Sequence, residues 1–200
     1  QALREAYFEH PVPRQLLQRH ARLVDRAAKQ VWAGAGLAGA ALVATGGYGR
    51  NELYPCSDID LLVLLPTDAS KELRERVERL IGQLWDTGLE IGHSVRTVAE
   101  CLETAAADIT IQTSLLEIRF LSGSRKLFTE LTSSLRADPI AFYKAKKLEQ
   151  EQRHAKHQDT PYALEPNLKE APGGLRDLHV IRWIARAAGI GARWTDLVAH

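Results

Sequence analysis

The run Ala44-Thr45-Gly46-Gly47-Tyr48-Gly49-Arg50-Asn51-Glu52-Leu53-Tyr54-Pro55-Cys56-Ser57-Asp58-Ile59-Asp60-Leu61-Leu62-Val63-Leu64-Leu65 reads as a strand end, a glycine turn, a loop, and a second strand headed by two acids. Side chains alternate faces along a strand, so Asp58 and Asp60 point one way while Ile59 points into the core. Neighbouring carboxylates repel unless a cation lies between them. Mg2+ accepts carboxylate oxygens and keeps positions for phosphate oxygens and water. Two such ions on shared acids would activate an acceptor oxygen and neutralise a departing pyrophosphate. The pattern therefore suits nucleotidyl transfer from a nucleoside triphosphate. Gly46 and Gly47 would let backbone N–H groups approach the triphosphate, and Arg50 and the Ser57 hydroxyl stand close enough in sequence to add phosphate contacts. Such catalysis works by positioning and charge neutralisation and needs no covalent enzyme intermediate.

Each piece alone is weak. A Gly-Gly pair is ordinarily a turn, an Asp-x-Asp is ordinarily a capped turn or a wet strand end, Arg50 alone would be a surface arginine, and Tyr48 and Tyr54 would be loop aromatics. The ordered combination is specific: apolar strand, Gly-Gly, then, with Asp58 eleven residues after Gly47, Asp-Ile-Asp opening a wholly apolar strand. The unbroken run 59–65 predicts burial on both faces.

Outward from this centre, Leu16, Leu17, Leu23, Val24, Ala27, Ala28, Val31 and Trp32 recur at helical spacing over 14–32. The small-residue stretch 33–39 connects this helix to a strand at 41–45. After Pro66, Asp68 or Ser70 caps a helix carrying Leu73, Val77, Leu80, Ile81, Leu84 and Trp85, which Gly88 closes. A third strand is expected at 89–96, ending in the capping box Thr97-Val98-Ala99-Glu100. From Ile109 onward the pattern reads as helical: one helix through Ile111, Leu115, Leu116, Ile118 and Leu121, one over 127–135, one capped by Asp138-Pro139 and running to about His157, and one near 178–188. The third of these, with its mixed Lys, Arg and Glu, reads as a solvated face. The expected class is α+β, a small mixed sheet flanked by helices and followed by a helical subdomain. The expected boundaries are 1–35 for an N-terminal helical segment, 36–122 for the domain carrying the acids, and 123–200 for a truncated helical subdomain.

The whole chain narrows the partners. Twenty-six Lys and Arg face 25 Asp and Glu, so no global field gathers nucleic acid or an anionic membrane. The stretch 31–45 is broken by Gly34, Gly36 and Gly39 and is too short to span a bilayer. No leader pattern opens the chain, and the expected location is cytoplasmic. Cys56 and Cys101 lack the spacing of a disulfide framework or zinc site and read as reduced thiols.

Gly46-Gly47 with Asp58-Ile59-Asp60 resembles the signature of the DNA polymerase β type nucleotidyltransferase superfamily. The longer string from Gly46 to Leu62 is similar, more narrowly, to the bacterial PII uridylyltransferases, also called uridylyl-removing enzymes. Two further segments agree, in the family's order: Glu90-Ile91-Gly92-His93-Ser94-Val95-Arg96-Thr97 and Pro166-Asn167-Leu168-Lys169-Glu170-Ala171-Pro172-Gly173-Gly174-Leu175-Arg176-Asp177-Leu178. The resemblance implies a Mg2+-dependent enzyme that moves UMP from UTP onto a tyrosine hydroxyl of the trimeric nitrogen-signalling protein PII. On it, Asp58 and Asp60 match the metal pair, and Gly46 and Gly47 the nucleotide-binding turn. Family members also carry an HD-type hydrolase domain and glutamine-sensing ACT domains. No His-Asp dipeptide occurs here, so the transferase part alone is expected.

The wider superfamily often places a third carboxylate on a neighbouring strand. Alternation over 89–96 puts Glu90, Gly92, Ser94 and Arg96 on one face, which makes Glu90 the candidate third metal ligand; its alternative is a strand-end charge paired with Arg96. Without it, the base taking the tyrosine proton could be Asp60, a water or another group. Lys169 and Arg176 suit anions, or their loop is a rigid turn docking the closing helix. His93 reads as a buried or edge histidine, His154 and His157 lack a third ligand, and Cys56 reads as a small filler. Alternatives to uridylyl transfer are another nucleotide or acceptor, such as adenylyl transfer, and a nucleotide-binding regulatory module without turnover.

Overall fold

The computed structural model describes residues 2–157, 159–160, 162, 164–165, 167–191 and 193–198. Pro166, the first residue of the third family-like segment, lies outside them, as do residues 158, 161, 163, 192, 199 and 200 of the expected helical subdomain. The elements run α1 (Ala2–Glu9), α2 (Pro13–Gly34), β1 (Ala41–Ala44), α3 (Gly46–Gly49), β2 (Ile59–Leu65), α4 (Lys71–Trp85), β3 (Ile91–Thr97), α5 (Val98–Ala107), α6 (Ile109–Leu116), β4 (Arg119–Gly123), α7 (Arg125–Ser134), α8 (Pro139–Lys156), α9 (Leu175–Ala187) and α10 (Trp194–Val198). The architecture is the expected α+β one. Two compact units divide it, one of residues 1–107 and 117–134, the other of 108–116 and 135–200.

In the first unit a four-stranded mixed sheet has the order β3-β2-β1-β4. β1 runs antiparallel to β2, with Ala44 opposite Leu61, and β2 runs parallel to β3, with Asp60 opposite Gly92. Ile59, Leu61, Val63 and Leu65 join Leu42 and Ala44 on one face, where they pack with Ala21, Val24, Ala28 and Trp32 of α2 and Val77, Leu80, Ile81 and Leu84 of α4. The other face presents the buried Val43, Leu62 and Leu64, covered by α7 over β1 and β2 and by α5 against β3. Apart from Asp60, β2 is apolar because both of its faces are roofed. Asp60 has the same parity as Leu62 and Leu64 and sits where that second face runs out.

The helix caps follow the sequence. Ser70 Oγ accepts from the Leu73 amide at 3.2 Å. The Thr97–Glu100 box closes reciprocally: the Thr97 amide donates to Glu100 Oε2 at 2.7 Å and the Glu100 amide to Thr97 Oγ1 at 3.3 Å. Asp138 Oδ1 accepts from the amides of Ile140 and Ala141.

One expectation fails. The run read as a single helix through Leu121 ends at Leu116, and 119–123 form β4, antiparallel to β1. Every β1 residue has no solvent exposure, so the N–H and C=O groups on its outer edge cannot be left to water and take a fourth strand. A short apolar run does not distinguish helix from buried strand by periodicity. A bulge between Leu42 and Val43 absorbs the irregular register.

The second unit has its own core, Phe142, Val180 and Trp183 with Ile109, Leu116 and Ile184 around them. The charge-rich α8 is not solvated all round. Lys146 is buried beside Phe142 on its inner stripe, its ammonium 2.6 Å from Glu149 Oε2 and 4.6 Å from the Trp183 ring centroid.

Candidate active site

β1 delivers the chain into a single helical turn, Gly46–Gly49, and the loop that follows returns to β2 with the acids at its head. The Thr45 amide donates to the Asp60 carbonyl at 3.0 Å, which fixes the glycine turn beside Asp60. Gly46 has φ +57, and a Cβ on it would lie 3.2 Å from Asp60 Oδ2. Only glycine suits both demands. Gly49 is forced for another reason: a Cβ there would meet the Glu117 carbonyl oxygen at 1.8 Å and the Ala44 carbonyl oxygen at 3.0 Å.

The loop is held from several sides. Leu53 is buried in the core, and His20 Nδ1 of α2 lies 3.1 Å from the Leu53 carbonyl oxygen. Asn51 and Cys56 take left-handed backbone angles, φ +60 and +65, the conformation a tight return costs when no glycine is present.

Asp58 precedes β2 and Asp60 is its second residue, and the two lie close enough for the charge of one to act on the other. Asp58 is exposed and Asp60 half-buried. Burial first, and the negative charge of Asp58 second, raise the Asp60 carboxyl above its ordinary range. A pair of acids that repel across a half-buried head is a donor set a divalent cation fits. Glu90 lies exposed ahead of β3, its carbonyl accepting from the Ile59 amide at 2.8 Å. Among the described residues no group of three His, Cys, Asp or Glu side chains is disposed to hold a metal ion. Nor does Glu90 pair with Arg96: six strand residues, about 20 Å, separate them, and Arg96 Nη1 donates to Thr104 Oγ1 at 3.2 Å.

Arg50 lies beside the glycine turn, and Ser57 immediately precedes Asp58 in the chain. Far from being a surface arginine, Arg50 is half-buried, with only 9% of its side chain exposed. It donates through Nε to Glu52 Oε2 at 2.8 Å and through Nη1 to Glu117 Oε2. Its Nη2 faces the glycine turn, 3.6 Å from where a Gly47 Cβ would stand. The Ser57 amide closes the loop on the Tyr54 carbonyl at 3.1 Å.

Sequence reasoning missed the underpinning. Tyr48 is buried, and its hydroxyl donates to Asp25 Oδ1 of α2 at 2.7 Å. Arg119 of β4 donates to both Asp25 oxygens at 2.7 and 3.0 Å and to the Tyr48 carbonyl at 3.2 Å, with its guanidinium over the Tyr48 ring. Burial, then the hydrogen bond and charge of Asp25, keep the phenol protonated far above its usual range against the opposing pull of Arg119. The partners lie 23 and 71 residues from Tyr48, beyond any local signal; the one hint was an acid, Asp25, abutting the apolar stripe of α2.

In the second unit the loop ahead of α9 forms a rigid turn. The Leu175 and Arg176 amides donate to the carbonyls of Leu168 and Lys169, and Arg176 Nη2 donates to Glu170 Oε1 at 3.0 Å. Asp177 is the hub: Arg153 Nη2 donates to it, Gln150 Nε2 at 2.8 Å and the Gly173 amide at 2.7 Å, and His154 Nε2 sits 3.0 Å away. Partial burial works against its charge, but these donors outweigh it and hold the carboxyl well below the ordinary range. His154 is therefore a partner of Asp177, and His93 is an edge histidine against Trp85.

Residues 25–115 match the family described as Nucleotidyltransferase domain, and residues 141–200 the one described as GlnD PII-uridylyltransferase. The bifunctional uridylyltransferase/uridylyl-removing enzyme of Aromatoleum aromaticum is 55% identical over 198 residues, 98% of this chain and 23% of that protein. That of Cupriavidus pinatubonensis is 58% identical over 91% of this chain and 21% of its own length, and that of Chromobacterium violaceum 51% identical over 99% and 24%. The chain thus spans about a quarter of the curated relatives it matches. With the two-acid strand head, the glycine turn and the loop before α9 all falling inside the matched segments, the chain belongs to the uridylyltransferase/uridylyl-removing enzyme family and spans its nucleotidyltransferase part.

Proposed function

We propose that this chain carries the UMP-transfer activity of its family, moving UMP from UTP to a tyrosine hydroxyl of PII with release of pyrophosphate. The observation that carries the reading is the Asp60 carboxylate, set beside Asp58 and against the glycine turn. Asp58 and Asp60 are the residues that would hold Mg2+, which when bound supplies charge neutralisation on the phosphates and acidifies the attacking hydroxyl. Gly46 and Gly47 keep side chains out of the way of the triphosphate, to which the Nη2 of Arg50 and the hydroxyl of Ser57 would add donors. Arg50 is oriented by Glu52 and Glu117, so its free edge is presented at little further entropic cost. The base for the tyrosine proton would be Asp60 or a water held beside it.

The test is transfer of label from UTP or ATP to PII in the presence of Mg2+, with the chain as it stands. Label should pass from UTP to a PII tyrosine, and Asp58→Asn and Asp60→Asn should each lower transfer about a hundred- to a thousandfold while melting cooperatively. Label from ATP alone would replace uridylyl by adenylyl transfer, and binding of UTP without any transfer would make the chain a nucleotide-binding module. Among the described residues no helix is long and apolar enough to cross a membrane.

A further inference from the structure

The parallel register places Gly92 of β3 directly beside Asp60 of β2. A Cβ on Gly92 would stand 2.8 Å from Asp60 Oδ1, and within 4 Å it would meet nothing else but Asp60 Cγ, at 4.0 Å. On the opposite flank, Gly46 would place a Cβ 3.2 Å from Oδ2. The carboxylate is thus seated between two glycines, one against each oxygen. At the very position where a third acid would stand next to Asp60, the strand has no side chain at all.

β3 cannot step aside to make room. Its register with β2 is unbroken from Ile59–Ile91 to Leu65–Thr97, the Ile59 amide holds the Glu90 carbonyl, and Trp85 of α4 donates through Nε1 to the Ile91 carbonyl at 3.4 Å while its ring meets His93 edge-on. A methyl group at 92 would therefore move the free end of the Asp60 side chain and leave the backbone alone. At Gly49 the obstructing atom is a backbone carbonyl, and there a methyl group would strain the fold. We infer that Gly92 is a positioning residue for the transfer reaction: its missing side chain sets the direction of the Asp60 carboxylate and keeps the Oδ1 side open. The inference rests on the reading of Asp60 proposed above.

The experiment compares the parent chain with Gly92→Ala, Asp60→Ala and the double variant. Gly92→Ala should melt within about a degree or two of the parent, since alanine in a strand interior is no worse than glycine. Its affinity for Mn2+ alone, followed by electron paramagnetic resonance without turnover, should fall about 10- to 100-fold, the usual cost of misorienting a metal ligand. Its kcat for UMP transfer should fall about a hundredfold, with KM for UTP changed far less. Parent-like Mn2+ affinity in Gly92→Ala would overturn the inference. If Gly92→Ala misfolds, the Asp60→Ala background decides: the double variant should fold as Asp60→Ala does because the obstructing oxygen is gone, and misfolding there too would overturn the inference. A parent that binds Mn2+ yet never transfers UMP sinks the reading of the reaction, and the Mn2+ comparison still judges Gly92. A parent that binds no Mn2+ overturns both.

Discussion

Two carboxylates show how environment divides one chemistry. Asp60 is raised by burial and by Asp58, whereas Asp177, against its partial burial, is lowered by the donors of Arg153, Gln150, Gly173 and His154. The unfolded chain takes up a proton at Asp177 near pH ~3.9, while the native state resists it. Its contribution is therefore complete above that pH and is lost as acidification proceeds through the lower native titration. Asp177→Asn should cost about 2 kcal/mol at neutral pH and flatten the acid limb of stability against pH, measured by urea titration from pH 7 downward. The two thiols divide similarly. Cys56 is exposed beside the acids, and Cys101 is buried, with burial pushing its thiol up to about 11. Iodoacetamide at neutral pH should label Cys56 and spare Cys101 in the native protein, as read by peptide mass; equal labelling would contradict the burial of α5 against the sheet.

The glycine turn is an element only four residues long, and nothing within it accounts for its rigidity. It is clamped from outside by Asp25 of α2, Arg119 of β4, and Glu117 just before β4. β4, the strand missed by periodicity, thus brings both the hydrogen-bond partners that the edge of β1 needs and a cation that anchors Tyr48. Asp25→Ala would leave the Arg119 guanidinium and the Tyr48 hydroxyl without their shared acceptor, and should destabilise the protein by about 3 kcal/mol in denaturant titration. Gly49→Ala should cost about as much, about 3 kcal/mol, because the Glu117 carbonyl would have to retreat. A neutral result for either would show that the turn holds itself.

At the scale of the whole molecule, a ligand that binds only the folded state raises its stability by mass action, about 2.7 kcal/mol at a hundred times its Kd. Mg2+ with UTP should therefore raise the melting temperature of the parent chain in scanning calorimetry, and the Asp58→Asn and Asp60→Asn variants should lose that increment. The amino-acid sequence alone determined the two central strands, the order of glycine turn and acids, the caps at Thr97 and Asp138, and the family, because alternation, capping and turn chemistry act over a few neighbouring residues. Tertiary structure alone decided that 119–123 is a strand, that Arg50 is clamped by Glu52 and Glu117, that Tyr48 is anchored to Asp25 and Arg119, and that Gly92 faces Asp60. Those outcomes hang on which buried edge needs hydrogen bonds and which distant charge meets which, and pairings across 23 to 94 residues leave no trace in local periodicity.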